Sequence, residues 1–219
     1  MNIPNLDDRL SRAAALFPAC EYGADIGADH GRLSCVLLAR GTCKRMCVAD
    51  ISADSLEKAR KLLIEQGLLP RSDIVVGDGL LAMPHAANAI AILGMGGHTI
   101  CGILDKGIHL LAGAALILSA HTHIHLLRKK LMDIHYRIDA EEIAYAAGRF
   151  YVVLRAVPGE ELLTEQKCFL GPRLMENCCQ HYGPYLDWRI ERTRQERTQE
   201  GAARLVWLKE EKDRVGNST

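Results

Sequence analysis

The residues able to do chemistry fall into four short clusters. The first, Asp25-Ile26-Gly27-Ala28-Asp29-His30-Gly31, mixes glycines with carboxylates and an imidazole. Glycine lets a backbone turn tightly and approach a ligand closely. A dinucleotide site would carry Gly-x-Gly-x-x-Gly here, and Asp29 and His30 interrupt that spacing. An acidic loop repels a pyrophosphate and suits a cationic ligand carrying a sulfonium or an amino group. Asp50 follows about 20 residues later, where a carboxylate can accept ribose hydroxyls. Asp78, between Gly77 and Gly79, is placed to accept from an adenine amino group. Gly94-Met95-Gly96-Gly97 sacrifices backbone order, so something approaches closely there.

Other clusters carry weaker signals. His121, His123 and His125 alternate and would share one face if a strand continued through them. No cysteine or carboxylate with matching spacing lies nearby, so no metal is expected. Arg128-Lys129-Lys130 and the run Arg189, Arg192, Arg194, Arg197 are basic, the latter interleaved with Glu191, Glu196 and Glu200. Such faces are either solvated or used against a phosphate backbone. The 8 cysteines read as reduced thiols, mostly in apolar surroundings.

These clusters need a scaffold, and the pattern supplies one. Helices are expected over 6–18, 30–40, 53–66, within 99–112 and over 124–134. Apolar strands are expected over 22–27, 45–50, 73–76, 89–93 and 114–118, with a closing antiparallel pair, 137–144 and 150–157, around Gly148. This alternation predicts an α/β fold, a Rossmann-like, doubly wound, mostly parallel sheet. Ligands of such sheets bind beyond the carboxyl ends of the strands, where the chemical clusters fall. Composition shifts after Pro158-Gly159 toward Glu, Arg and Gln. Residues 1–159 are therefore expected as the ligand-binding domain. Residues 160–219 are expected as a C-terminal, coiled-coil-like helical hairpin, with one helix over 162–182, interrupted at Gly171-Pro172, and another over 185–215. The 219 residues carry 27 Lys+Arg against 27 Asp+Glu and are 48% hydrophobic, which excludes a disordered chain and a uniformly basic nucleic-acid binder. No apolar run reaches the roughly 20 residues of a membrane span, and the polar N-terminus shows no signal peptide. A soluble cytoplasmic protein is expected; oligomeric state is not legible.

Together the motifs resemble the bacterial tRNA (adenine-N1)-methyltransferases that modify adenine 22, the TrmK-type family. The resemblance runs from about Leu6 to Lys167. It rests on Leu6-x-x-Arg9-Leu10, Ala24-Asp25-Ile26-Gly27-Ala28-Asp29-His30, Gly77-Asp78-Gly79-Leu80 and Gly94-Met95-Gly96-Gly97. It implies a class I methyltransferase using S-adenosyl-L-methionine as donor and tRNA as acceptor. Asp25, Gly27, Asp29 and His30 would then line the methionine end, with Arg9 reaching the same site. Asp50 would hold the ribose and Asp78-Gly79 the adenine. Gly94, Met95, Gly96 and Gly97 would form the wall where donor and target base meet. Asp29, then His30, are the candidates for handling charge during catalysis. His121, Arg128, Lys129, Arg189 and Arg192 are the candidates for contacting RNA. Where the family typically has Gln-Pro-Asn after the fifth strand, this chain has Ser119-Ala120-His121, next to the expected base site. A methyltransferase with another substrate and an inactive RNA-binding relative are the alternatives.

Overall fold

The computed structural model describes residues 3–217. The chain opens with α1 (Asp8–Leu16), capped by Asp7, whose side chain accepts from Leu10 N at 2.8 Å. Strands and helices then alternate: β1 (Cys20–Ile26), α2 (Arg32–Ala39), β2 (Cys43–Asp50), α3 (Ala53–Glu65), β3 (Ser72–Val76), β4 (Ala89–Met95), α4 (Gly97–Gly107), β5 (Ala115–Ala120) and α5 (Ile124–Asp133). The long hairpin β6 (Tyr136–Ala146) and β7 (Arg149–Pro158) completes the sheet. Ser52 caps α3 as its position before the apolar repeat predicts.

Seven strands form one sheet in the order β3-β2-β1-β4-β5-β7-β6. The first five pair in parallel, and β7 inserts antiparallel between β5 and β6. Side-chain alternation divides the core in two. Along β4, Ile90 and Ile92 face one apolar layer with Ile100, Leu104, Leu127 and Leu131. Ala89, Ala91 and Leu93 face the other, with Leu33, Leu37 and Leu63. Burial on both faces explains why these strands read as continuous apolar runs.

The C-terminal segment departs from expectation. Within 162–182 the predicted interruption at Gly171-Pro172 is present, but the helices on either side are short, α6 (Glu165–Leu170) and α7 (Pro172–Asn177). Gly171 separates them at φ 106°, and Pro172 opens the second. The predicted helix 185–215 is also two, α8 (Tyr182–Thr193) and α9 (Gln199–Gly216), which pack on each other. Arg194 to Arg197 offer no apolar side chain to bury, and Thr198 starts a new helix by accepting from Gly201 N at 3.0 Å. The hairpin is thus made inside the segment read as one helix. Its apolar side, Tyr182, Tyr185, Leu186 and Leu208, packs with Phe169, Leu170 and Leu174 against Ile143 of β6 and Val152 of β7.

Arg128 is a further correction. The run Arg128-Lys129-Lys130 predicts a basic surface, but Arg128 is fully buried under this layer. Its Nε donates to Glu141 at 2.7 Å and its Nη1 to the carbonyls of Cys168 and Phe169 at 2.7 and 3.3 Å. It ties the end of α6 to the sheet and has no surface from which to meet RNA. Among the described residues no helix is long and apolar enough to cross a membrane.

Candidate active site

The carboxyl ends of β1, β2 and β4 enclose a cavity of about 290 Å³. Asp25 forms its floor. Its carboxylate is 3% exposed and accepts from Ser34 Oγ at 2.7 Å. Burial raises its pKa to about 6; the Ser34 hydrogen bonds and Arg9 act against that rise, and Asp50 adds to it. Asp25 is therefore an anion held at a cost, which a cationic ligand would relieve. Gly27, at φ 72°, carries the chain over this floor. Asp29, in the left-handed region at φ 49°, turns its backbone N–H to Asp50 Oδ2 at 2.9 Å. Asp50 also accepts from Ser52 N at 2.8 Å, which fixes its carboxylate and leaves lone pairs for a diol. Two loops that the sequence shows only as separate motifs are thereby one unit.

A second cavity, of about 370 Å³, continues across the ends of β2 and β3. Gly27, Asp50 and Met95 line both hollows. The Met95 methyl lies where a Cβ at Gly27 would stand, so any larger residue at 27 would displace it. Asp78 and Gly79 border the second hollow, and Lys106 of α4 donates to Asp78 Oδ2 at 2.7 Å. Lys106 was not legible in the sequence, because only the packing of α4 across the sheet brings it to Asp78.

The opposite wall of the first cavity starts at Gly94. A bulge there separates the pairs Leu93↔Ser119 and Met95↔Ala120. Gly94 has φ 79°, and a Cβ on it would lie 3.2 Å from Arg9 Nη1 and 3.9 Å from His121 Nε2. Arg9 and His121 both meet Tyr151 of β7: the guanidinium lies 5.8 Å over the ring centroid and the imidazole centroid 5.2 Å from it. Partial burial, with Arg9 and Arg149 nearby, lowers the His121 pKa, so its imidazole is neutral near pH 7. Tyr151 was missed because a single aromatic at the start of a closing strand carries no spacing signal.

The residues read as catalytic stand across from this wall. Asp29 is exposed and accepts from Ser55 Oγ at 3.3 Å, while His30 Nε2 lies 3.2 Å from Lys58 Nζ. The three alternating histidines do not converge. The strand ends at Ala120, His121 faces Tyr151, and His123, at φ 55°, packs on His98 with centroids 4.8 Å apart. His125 packs on Phe169. Of the residues read as RNA contacts, Lys129 pairs with Glu165 at 2.7 Å. Arg189 lies 3.8 Å over Phe169 and donates to its carbonyl, and Arg192 is exposed above Trp188.

Gly97 holds the two walls together. Its N–H donates to Thr122 O at 2.8 Å, and a Cβ would meet His123 O at 2.5 Å and Thr122 O at 2.8 Å. Both obstacles are backbone atoms. Gly97→Ala is expected to cost about 1 to 3 kcal/mol through overpacking and to displace His121. Urea unfolding measures the first, and a variant as stable as the parent would contradict the contact.

A parallel sheet of this order closed by an antiparallel β7, with carboxylates at three successive strand ends, defines a class I methyltransferase. Residues 6–154 match the family described as "Methyltransferase domain". The chain is 32% identical over 162 residues to the tRNA (adenine(22)-N(1))-methyltransferase of Bacillus subtilis, covering 73% of this chain and 68% of that one. A Streptococcus pneumoniae protein proposed as a tRNA (m1A22) methyltransferase, solved in complex with S-adenosyl-L-methionine, is 27% identical over 95% of this chain and 100% of its own, with TM-score 0.89. The crystal structure of the B. subtilis enzyme, at 24% identity, 97% and 98% coverage and TM-score 0.80, shares the fold. This chain belongs to the TrmK-type tRNA (adenine-22-N1)-methyltransferase family.

Proposed function

We propose that the protein transfers a methyl group from S-adenosyl-L-methionine to N1 of an adenine in tRNA, position 22 by family membership. The observation that carries this reading is the row of carboxylates, Asp25, Asp50 and Asp78, facing one continuous groove. The groove's residues fit the donor. Asp25, buried with its charge opposed by its surroundings, suits the amino group of the methionine moiety. Asp50, pre-oriented by two backbone N–H groups, suits the ribose diol, and Asp78-Gly79 the adenine.

Bound there, the donor supplies an electrophilic methyl. That methyl would pass to the N1 lone pair of an acceptor adenine, the carbon–sulfur bonding electrons staying on sulfur and the positive charge going to the base. N1 is nucleophilic as it stands, so the protein's work is alignment and the placing of charge around the groove. Asp29, read as catalytic, is proposed as an anion at the mouth that steadies the positive charge carried first by donor and then by base. Being well solvated, it is expected to contribute less than tenfold to turnover. His30 is proposed to position that loop beside Lys58. Lys129 and Arg192 are proposed to meet the RNA backbone, and Arg189 to hold the α6–α8 packing beneath them. The part of the chain from 160 onward is proposed as the RNA-facing unit.

Titration calorimetry with S-adenosyl-L-methionine and S-adenosyl-L-homocysteine tests the donor site. Micromolar binding is expected, with Asp78→Ala weakening it at least tenfold. Transfer to unmodified tRNA, mapped by the site of N1-methyladenine, tests the acceptor. Donor binding without transfer to tRNA would leave a methyltransferase of another substrate or a non-catalytic RNA binder; no donor binding would end the reading.

A further inference from the structure

We propose that Cys20 and Cys43 form an oxidisable dithiol, a modification site at the opposite end of the sheet from the groove. A hydroperoxide reacts at Cys20, and Cys43 resolves the product into a disulfide between β1 and β2. This site stands independently of the methyl-transfer reading.

Geometry presets the pair. Cys20 and Cys43 open β1 and β2 and stand opposite each other in the parallel register. Neighbouring strands run about 4.8 Å apart, inside the roughly 4.4 to 6.8 Å that a disulfide asks of its Cα atoms. The two sulfurs are already 3.3 Å apart. Backbone contacts hold both strand starts. Cys20 N donates to Thr42 O at 2.8 Å, and the Arg71 guanidinium donates to the carbonyls of Cys43 and Lys44, each at 2.7 Å. Closing the sulfurs to the bond length of about 2.05 Å then asks for side-chain rotation, with the register kept.

The two thiols differ in access, which assigns their roles. Cys20 is partly exposed and lines a hollow of about 440 Å³ with Glu21, Thr42, Lys44 and Asn88. Cys43 is fully buried beside Gly23, where a Cβ would meet its sulfur at 3.0 Å. The thiolate is the reactive form of a cysteine. The hydrogen bond with Cys43 lowers the Cys20 pKa, against burial and Glu21. Burial raises those of Cys35, Cys47, Cys101 and Cys168. With hydrogen peroxide, the Cys20 sulfur attacks one oxygen, the O–O bond breaks, and the thiol proton leaves in water. Cys20 is then a sulfenic acid, which condenses with a neighbouring thiol. The Cys43 sulfur bonds to the Cys20 sulfur, the S–O bond breaks, and the Cys43 proton leaves with the hydroxide as a second water. Two thiols lose two electrons, and one peroxide gains them.

The test treats the reduced full-length protein with hydrogen peroxide, alkylates the remaining thiols in denaturant and maps the peptides. A linked Cys20–Cys43 peptide is expected, lighter by two hydrogens than its reduced parts. Both alkylation signals should be lost, and dithiothreitol should restore them. Exposed Cys178 and Cys179 give the internal measure of oxidant dose. Cys43→Ser should stop at a Cys20 sulfenic acid, trapped by dimedone, and Cys20→Ser should leave Cys43 reduced. In Cys178→Ser/Cys179→Ser protein the oxidised form should melt roughly 4 to 15 °C above the reduced one, because the bond constrains the unfolded chain. Cys20 and Cys43 both fully alkylated at a dose that oxidises Cys178 and Cys179 would overturn the proposal. So would Cys20 linked to another cysteine, Cys43 oxidised as readily in Cys20→Ser, or an oxidised protein that melts no higher than the reduced one.

Discussion

Asp25→Asn is expected to weaken S-adenosyl-L-methionine binding by roughly tenfold to a hundredfold while making the ligand-free protein more stable at pH 8. The two effects share a cause. The Asp25 carboxyl lies under the cavity floor with Ser34 Oγ at 2.7 Å, and burial lifts its pKa from the ordinary 3.8 to about 6. The folded state therefore holds the proton more tightly than the unfolded chain. The neutral form's advantage is complete below about pH 4 and is lost as pH rises through 6, so at pH 8 the ionised group burdens the ligand-free fold by at most about 3 kcal/mol. Asparagine removes that burden and can still accept from Ser34. The same ionised group is what a ligand ammonium would meet, and a charge-assisted hydrogen bond contributes about 1.5 to 3 kcal/mol. Donor affinity of the parent should fall as pH drops from 7 through 6 to 5, a range in which an α-amino group stays protonated. That of Asp25→Asn should be flat. Calorimetry at three pH values decides it; an equal pH dependence in both proteins would show that another group titrates.

Arg128→Met carries the largest expected loss of stability, about 3 to 5 kcal/mol, the cost of removing one partner from a buried ion pair. For a chain of this size that corresponds to a fall in melting temperature of roughly 6 to 20 °C. The guanidinium satisfies Glu141 Oε1 and two carbonyls at the end of α6. Without it, Glu141 keeps the Arg173 backbone N–H at 3.0 Å as its remaining short contact. The double variant Arg128→Met/Glu141→Leu should recover much of the loss, because no uncompensated carboxylate stays behind. Recovery should be incomplete, since the Cys168 carbonyl still loses its donor, while that of Phe169 keeps Arg189 at 2.7 Å. A single variant within 1 kcal/mol of the parent would place Arg128 in contact with water and restore it as a surface group.

The sequence by itself determined the parallel α/β frame and where its ligand groove lies. Strands buried on both faces must be apolar throughout, so β1 to β5 stand out, and the glycines and carboxylates at their ends mark the groove's rim. The strand-end places of Asp25, Asp50, Asp78 and Gly94 were legible because local spacing encodes a position along one strand. What lies across the groove was not. Tyr151 meets Arg9 and His121 from a strand inserted antiparallel beside β5, and Lys106 reaches Asp78 from a packed helix. The break between α8 and α9 was not legible: Arg194 to Arg197 are four polar residues without an apolar anchor. Read locally they fit a charged helix as well as a turn, and only the packing of α8 on α9 selects the turn. Arg128 shows the limit most plainly: its neighbours Lys129 and Lys130 suggest a basic surface, yet its partner Glu141 is 13 positions away. Whether an arginine faces water or a buried carboxylate depends on what the chain later lays over it, and that is decided only when the tertiary layers close.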